Sequence, residues 1–186
     1  MEDIPRDIIE KAQAGDREAF ESIYKAASGF VYNVALRITN NREETQEVTQ
    51  DVFLKVYRHI KDFGFRSSFK TWAYRITVNT ALNAHKKATR ETDRRQDFET
   101  VIETQADPVD TGKQIARQEE AALEKARLEA LLNKLNLDQR TCIVLREIEG
   151  LSYQEISRVL NINLNTVRSR LKRARETLLA YSGEGR

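Results

Sequence analysis

Gly150-Leu-Ser-Tyr-Gln-Glu-Ile-Ser-Arg-Val-Leu-Asn-Ile-Asn-Leu-Asn-Thr-Val-Arg-Ser-Arg-Leu-Lys-Arg-Ala-Arg175 encodes two helices and the turn between them. Gly150 closes one helix. Ser152 and Glu155 then stand at the spacing of a capping box, in which each side chain satisfies a backbone N–H of the other's turn. Ile156, Val159 and Leu160 give the short helix that follows one apolar face. Asn161-Ile162-Asn163 breaks it, because Asn tolerates left-handed backbone and its amide competes for backbone hydrogen bonds. A second helix places Leu164, Val167 and Leu171 inward at helical spacing, and Asn163 or Asn165 is positioned to cap it. Five basic residues fall from Arg168 to Arg175 with no acid before Glu176. Like charges at these spacings destabilise a lone helix, so an anionic partner is expected. Two short helices, a tight turn and a basic second helix make a helix-turn-helix suited to the major groove of DNA.

Outward from this stretch, composition bounds the rest. The chain has 186 residues, 40% hydrophobic and 32% charged, with two prolines and seven glycines. That is enough for one or two small cores and points to an all-α protein. Cys142 stands alone, which excludes an intrachain disulfide, and His59 and His85 are isolated, so no metal centre or other cofactor is expected. The N-terminus carries no secretory leader pattern and no apolar run is long enough to span a bilayer, giving the expectation of a soluble, cytoplasmic protein. There is no P-loop, nucleophile–base pairing or glycine-rich phosphate loop, so an enzyme is not expected.

The net charge of +2 divides unevenly. Residues 1–90 hold 15 Lys and Arg against 12 Asp and Glu, residues 91–120 hold 4 against 9, and residues 121–186 hold 12 against 8. Two mildly basic ends flank an acidic middle. In the first part a short helix from Ile4 to Ala14 ends at Gly15. A second helix, capped by Asp16, repeats Phe20, Ile23, Tyr24, Ala27, Val31, Val34, Ala35 and Ile38 at three- and four-residue steps. After Asn40-Asn41, a helix from Arg42 to Ile60 puts Val48, Val52, Phe53, Val56, Tyr57 and Ile60 on its core face and Glu43, Glu44, Glu47, Gln50 and Asp51 opposite. The loop Asp62 to Ser68 mixes aromatic and small polar residues, and a fourth helix runs from Phe69 to about Lys87. From Thr89 to Gly112 the periodicity disappears into a polar, acidic stretch, read as a flexible linker able to span ~80 Å if extended. Beyond it, Leu128, Leu131, Leu132 and Leu135 form a stripe, and Leu137 to Glu149 adds a helix with Cys142, Leu145 and Ile148 inward. The expected layout is two small helical domains, 1–90 and 115–186, joined by a linker at 91–114.

Three stretches in order resemble the sigma-70 family of bacterial RNA polymerase sigma factors, in its short extracytoplasmic-function (ECF) class. Leu137-Asp138-Gln139-Arg140, the run Val144 to Ile156 and the run Thr166 to Arg175 are similar to the family's region 4. Gln50 to Tyr57 resembles the helix that docks on the polymerase clamp, and Phe69 to Thr80 resembles the helix that reads the −10 promoter element. Two local differences stand out: Asn161, Asn163 and Asn165 replace the Gly, Pro and Gly common in the turn, and Asp51 replaces a common Glu.

The resemblance implies an alternative sigma factor that binds core RNA polymerase and promoter DNA, directs initiation, acts in the cytoplasm on the nucleoid, serves a stress response, and is held by an anti-sigma partner that no residue here identifies. It implies −35 contacts from Thr166, Arg168, Ser169, Arg170, Lys172, Arg173 and Arg175. Ser169 and Arg173 are then the base readers, and Arg170 and Arg175 the phosphate grips. It implies −10 contacts from Phe63, Phe65, Arg66, Ser67, Trp72, Tyr74, Asn79 and Asn83. Aromatic faces can stack an unstacked base and Asn amides can read its edge, although Phe63, Phe65 and Trp72 also fit a core, and for Trp72 the core reading is favoured. Glu47, Gln50, Asp51, Phe53 and Leu54 would meet the polymerase. The acidic middle fits a segment threaded through a positively charged channel of the enzyme. A stand-alone helix-turn-helix regulator with a helical sensing domain is the rival reading, and Cys142 reads as a core thiol before a redox sensor.

Overall fold

The computed structural model describes residues 4–95 and 126–183, and among these residues all regular structure is helical, with no strand. Helix α1 (Arg6–Gln13) buries Ile9 and Ala12. The chain then turns at Gly15, whose φ of 93° lies in the region that favours glycine. Asp16 caps α2 (Arg17–Thr39) by accepting from the backbone N–H groups of Glu18 and Ala19 at 2.9 and 3.1 Å. Left-handed Asn40 ends α2 and Asn41 caps α3 (Arg42–His59), so the Asn pair does both jobs. A 3₁₀ turn (Ile60–Asp62) closes α3, and α4 runs Phe69–Arg95.

Helices α2, α3 and α4 pack on one another around Ile23, Val31, Val34, Ile38, Val48, Val52, Val56 and Val78. The buried threonine hydroxyls of this core are satisfied: Thr39 and Thr45 share a 2.9 Å hydroxyl contact, and Thr77 donates to the Ala73 carbonyl. Helix α4 continues several residues past the expected end near Lys87, as far as Arg95. The remainder of the linker reading, residues 96–114, lies outside the described residues.

The second unit comprises α5 (126–133), α6 (Leu137–Ile143), α7 (Tyr153–Leu160) and α8 (Leu164–Gly183). Asn136 and Gln139 form a capping box for α6. The single helix expected from Leu137 to Glu149 is instead an α-helix that widens into a π turn over Val144–Ile148, with the Glu149 N–H donating to the Val144 carbonyl at 3.0 Å. Cys142 and Leu145 are buried as expected, whereas Ile148 is only half-buried. The Ser152–Glu155 capping box forms, Asn161 is left-handed at φ 51°, and the Asn163 side chain accepts the Asn165 N–H at 2.8 Å at the start of α8. Asn therefore supplies the turn geometry without Gly or Pro. Burying Val167, Leu171 and Ala174 seats α8 on α6 and α7, at about 1.5–3 kcal/mol for each large aliphatic side chain.

The two units pack together, α7 against α4 and α6 against α2. Arg140, half-buried, donates to the Leu132 carbonyl at 3.0 Å, to the Leu135 carbonyl at 3.4 Å and, across the seam, to the Ile38 carbonyl at 3.3 Å. These carbonyls lie at or near helix C-termini, where a cation is favoured.

Candidate nucleic-acid interface

The recognition-helix surface is built by what α8 buries. With Val167, Leu171 and Ala174 inward, Arg168, Ser169, Lys172 and Arg173 are exposed and Thr166 is half-buried. Arg168 leans on the Asn165 side chain at 3.0 Å, the Ser169 hydroxyl donates to the Thr166 carbonyl, and Lys172 lies 3.8 Å from Glu176. Arg170 and Arg175 are different. Arg170 is paired with Asp138 at 2.5 Å, and Arg175 with Glu147 at 2.6 Å and the Tyr153 hydroxyl at 3.4 Å. Both side chains tie α8 to the rest of the unit through these pairs, and Arg175 is exposed while Arg170 is half-buried. Their acidic partners stand 32 and 28 residues upstream, beyond any helical spacing.

The second surface lies at the 62–68 loop and the exposed side of α4. Arg66, Ser67, Asn79 and Asn83 are exposed, Phe65 and Trp72 half-buried. Phe65 adopts φ 54°, a left-handed backbone that costs a side-chain-bearing residue about 1–2 kcal/mol. Its ring is held between Phe63, 4.9 Å away, and the Arg6 guanidinium at 4.5 Å. Gln13 donates to the Ile60 and Phe63 carbonyls at 2.9 and 2.8 Å, and Ser68 caps α4 by accepting the Thr71 N–H. Arg6, Gln13 and Ser68 therefore shape the loop. The Ser68–Thr71 spacing was the only sequence signal among them. Phe63 and Tyr74, expected at the DNA, are core residues at 5% and 1% exposure. Phe63 packs on Phe69 and Trp72, and the Tyr74 ring meets Phe30 edge-on. The Tyr74 hydroxyl donates to Glu149 of the second unit, and burial with this carboxylate pushes its pKa far up.

On α3, Glu47, Gln50, Asp51 and Leu54 are exposed, but Phe53 is buried against Tyr24. Tyr24 and Tyr57, expected in the core, are 46% and 61% exposed instead. They sit at the margins of wide apolar stripes, where a tyrosine can bury its ring edge and keep its hydroxyl wet. With Phe20 and Arg17 they line an open cleft of about 630 Å³ beside Leu54's helix. Among the described residues no group of three or more His, Cys, Asp and Glu could hold a metal ion, and no helix is long and apolar enough to cross a membrane.

The fold and these surfaces define a class: a helical protein that presents a helix-turn-helix from one unit and an aromatic, amide-bearing loop and helix from another. The chain belongs to the sigma-70 family of RNA polymerase sigma factors, in its ECF class. The family's region 2 matches residues 23–91 and its region 4 matches residues 125–178. Similar proteins include the RNA polymerase sigma-H factor of Pseudomonas aeruginosa, 35% identical over 92% of this chain and 90% of that protein. The ECF RNA polymerase sigma-E factor of Haemophilus influenzae is 34% identical over 92% of this chain and 91% of its own. The fold is shared with CnrH, solved in complex with the cytosolic domain of CnrY, at a TM-score of 0.68, 24% identity and coverage of 97% and 98% of the two chains. It is likewise shared with the sigma factor RpoE of Bartonella quintana, solved with the anti-sigma factor NepR, at 0.67, 22% identity and coverage of 90% and 98%.

Proposed function

We propose that the two units of this chain divide promoter reading between them. The protein is an alternative sigma factor of the ECF class: it binds core RNA polymerase and directs initiation at promoters with −35 and −10 elements. Residues 115–186 take the −35 element, with Arg168, Ser169, Lys172 and Arg173 entering the major groove, Thr166 at its edge, and Arg173 forking onto a guanine. Residues 1–90 take the −10 element: Arg66 and Ser67 meet the strand, Phe65 and Trp72 offer ring faces, and Asn79 and Asn83 offer amides to a flipped base. The acidic stretch that follows α4, residues 96–114, joins them. Glu47, Gln50, Asp51 and Leu54 meet the polymerase.

The observation that carries this reading is the exposure of four polar or basic side chains on α8, on the face opposite buried Val167, Leu171 and Ala174. As a sigma factor the protein works in the cytoplasm, as a regulator of initiation and not as a catalyst. The complex of the Bartonella quintana sigma factor with its anti-sigma factor supports a partner of that kind here. The test is direct: purified protein added to core RNA polymerase should start transcription from a promoter that core alone ignores. DNA binding without initiation would favour a stand-alone regulator. Selection of bound sequences with the reconstituted holoenzyme would then define both elements.

A further inference from the structure

Glu149 sits in the turn that leads into the helix-turn-helix, yet both of its carboxylate oxygens are engaged by the first unit. Arg37 of α2 donates to one at 2.9 Å, and Tyr74 of α4 donates to the other. The Glu149 side chain is 13% exposed, so this is a nearly buried anion with two donors, one of them charged. Charge-assisted bonds of this kind are among the strong ones in a protein interior. Elsewhere the seam is less favourable. Between α4 and α7 lies a cleft of about 810 Å³ with Arg66, Ser67, Trp72 and Arg75 on one wall and Glu155, Arg158 and Asn161 on the other. Three guanidinium groups stand there against one carboxylate, Glu155, which already accepts the Ser152 N–H at 2.8 Å, so the excess positive charge works against closure. The first wall is also the surface assigned above to the −10 strand. A strand laid along Arg66, Ser67 and Trp72 would meet α7, whereas Arg168, Ser169, Lys172 and Arg173 on α8 stay exposed.

We propose that Glu149 is a latch: by holding Arg37 and Tyr74 it keeps the helix-turn-helix unit over the −10 surface, and the latch must release before a promoter strand is taken up there. This rests on the −10 assignment for its consequence, but the latch itself is a statement about two units of one chain. Breaking it leaves each unit's own core intact.

The test uses the full chain with donor and acceptor dyes on cysteines introduced at exposed Ala26 and Ala180. Native Cys142 is buried and should not react. Single-molecule energy transfer should show a dominant short-distance population. Glu149→Gln and Arg37→Met should each shift the closed-to-open ratio by roughly tenfold toward open, the worth of one buried charged hydrogen bond. Tyr74→Phe, which keeps the ring against Phe30, should shift it in the same direction. Arg37 is partly exposed, so its variant tests the latch even if Glu149→Gln does not fold. Transcription from a cognate promoter should persist with Glu149→Gln and Arg37→Met, with faster assembly onto core polymerase. Distance distributions that coincide between wild type and the folded variants would overturn the latch while leaving the sigma-factor reading intact. Failure of the wild type to direct core polymerase would overturn that reading instead, whatever the distances show.

Discussion

Of the five basic side chains between Arg168 and Arg175, Arg173 is exposed without an ion pair among the described residues, whereas Arg170 is held by Asp138. Two similar substitutions should therefore behave differently. Arg173→Ala should cost about 1–3 kcal/mol of discrimination at one −35 base pair and relax specificity there, measured by binding to promoter variants. Arg170→Ala should lower thermal stability by up to about 1 kcal/mol, since its pair is partly exposed, and should change sequence preference little. Glu44 makes a second residue-scale prediction. Burial holds its carboxyl above its ordinary value of 4.5, with His85 3.8 Å away as a partial compensation. A carboxyl whose pKa is raised on folding favours the fold when protonated. Its penalty is absent below the unfolded pKa, develops as pH rises through the folded value, and is complete above it. Glu44→Gln should accordingly raise the melting temperature at pH 7 and lose this advantage near pH 4. An unchanged difference between the two pH values would remove the assignment.

At the scale of elements, the helix-turn-helix depends on one left-handed residue. Asn161 at φ 51° ends α7 and allows α8 to start within a few residues. Asn161→Ala should destabilise the protein by about 1–2 kcal/mol, and Asn161→Gly should be nearly neutral or better, with both read from denaturant unfolding. This turn was legible in the sequence because Asn, Gly and capping-box spacings act over three or four residues. The burial of Cys142 was legible for the same reason. What was not legible depends on distance along the chain or on geometry without a signature. The π turn at Val144–Ile148 has no residue pattern of its own. The pairs Arg170–Asp138 and Arg175–Glu147 close only after α8 has docked. Tyr24 and Tyr57 satisfy helical periodicity at stripe margins, and periodicity cannot say which side of the margin faces water. The loop at 62–68 was legible, but its supports, Arg6 and Gln13, come from a helix some 50 residues earlier.

Across the whole molecule, charge is unevenly distributed. Residues 91–120 carry nine acids against four basic residues. Replacing these acids with Asn and Gln should leave DNA selectivity unchanged but alter initiation or promoter escape in the holoenzyme, measured by the ratio of abortive to full-length transcripts. Normal behaviour would leave the acidity as a matter of solubility alone. The packing of the two units adds a constraint that composition could not show, because it runs through side chains more than a hundred residues apart, Arg37 with Glu149 and Arg140 with the carbonyl of Ile38.

Arg140 shows how such a seam can part cheaply. Two of its three bonds go to carbonyls of its own unit and only one crosses to the other. If the units separate, the guanidinium loses that one bond, gains water, and stays anchored where it was. Most of its anchorage lies within its own unit, so across the seam it would act as a bearing and not as a rivet. A lysine there, with a single ammonium in place of a planar fork, could not face all three carbonyls at once. The joint would lose its seat before it lost its freedom to move.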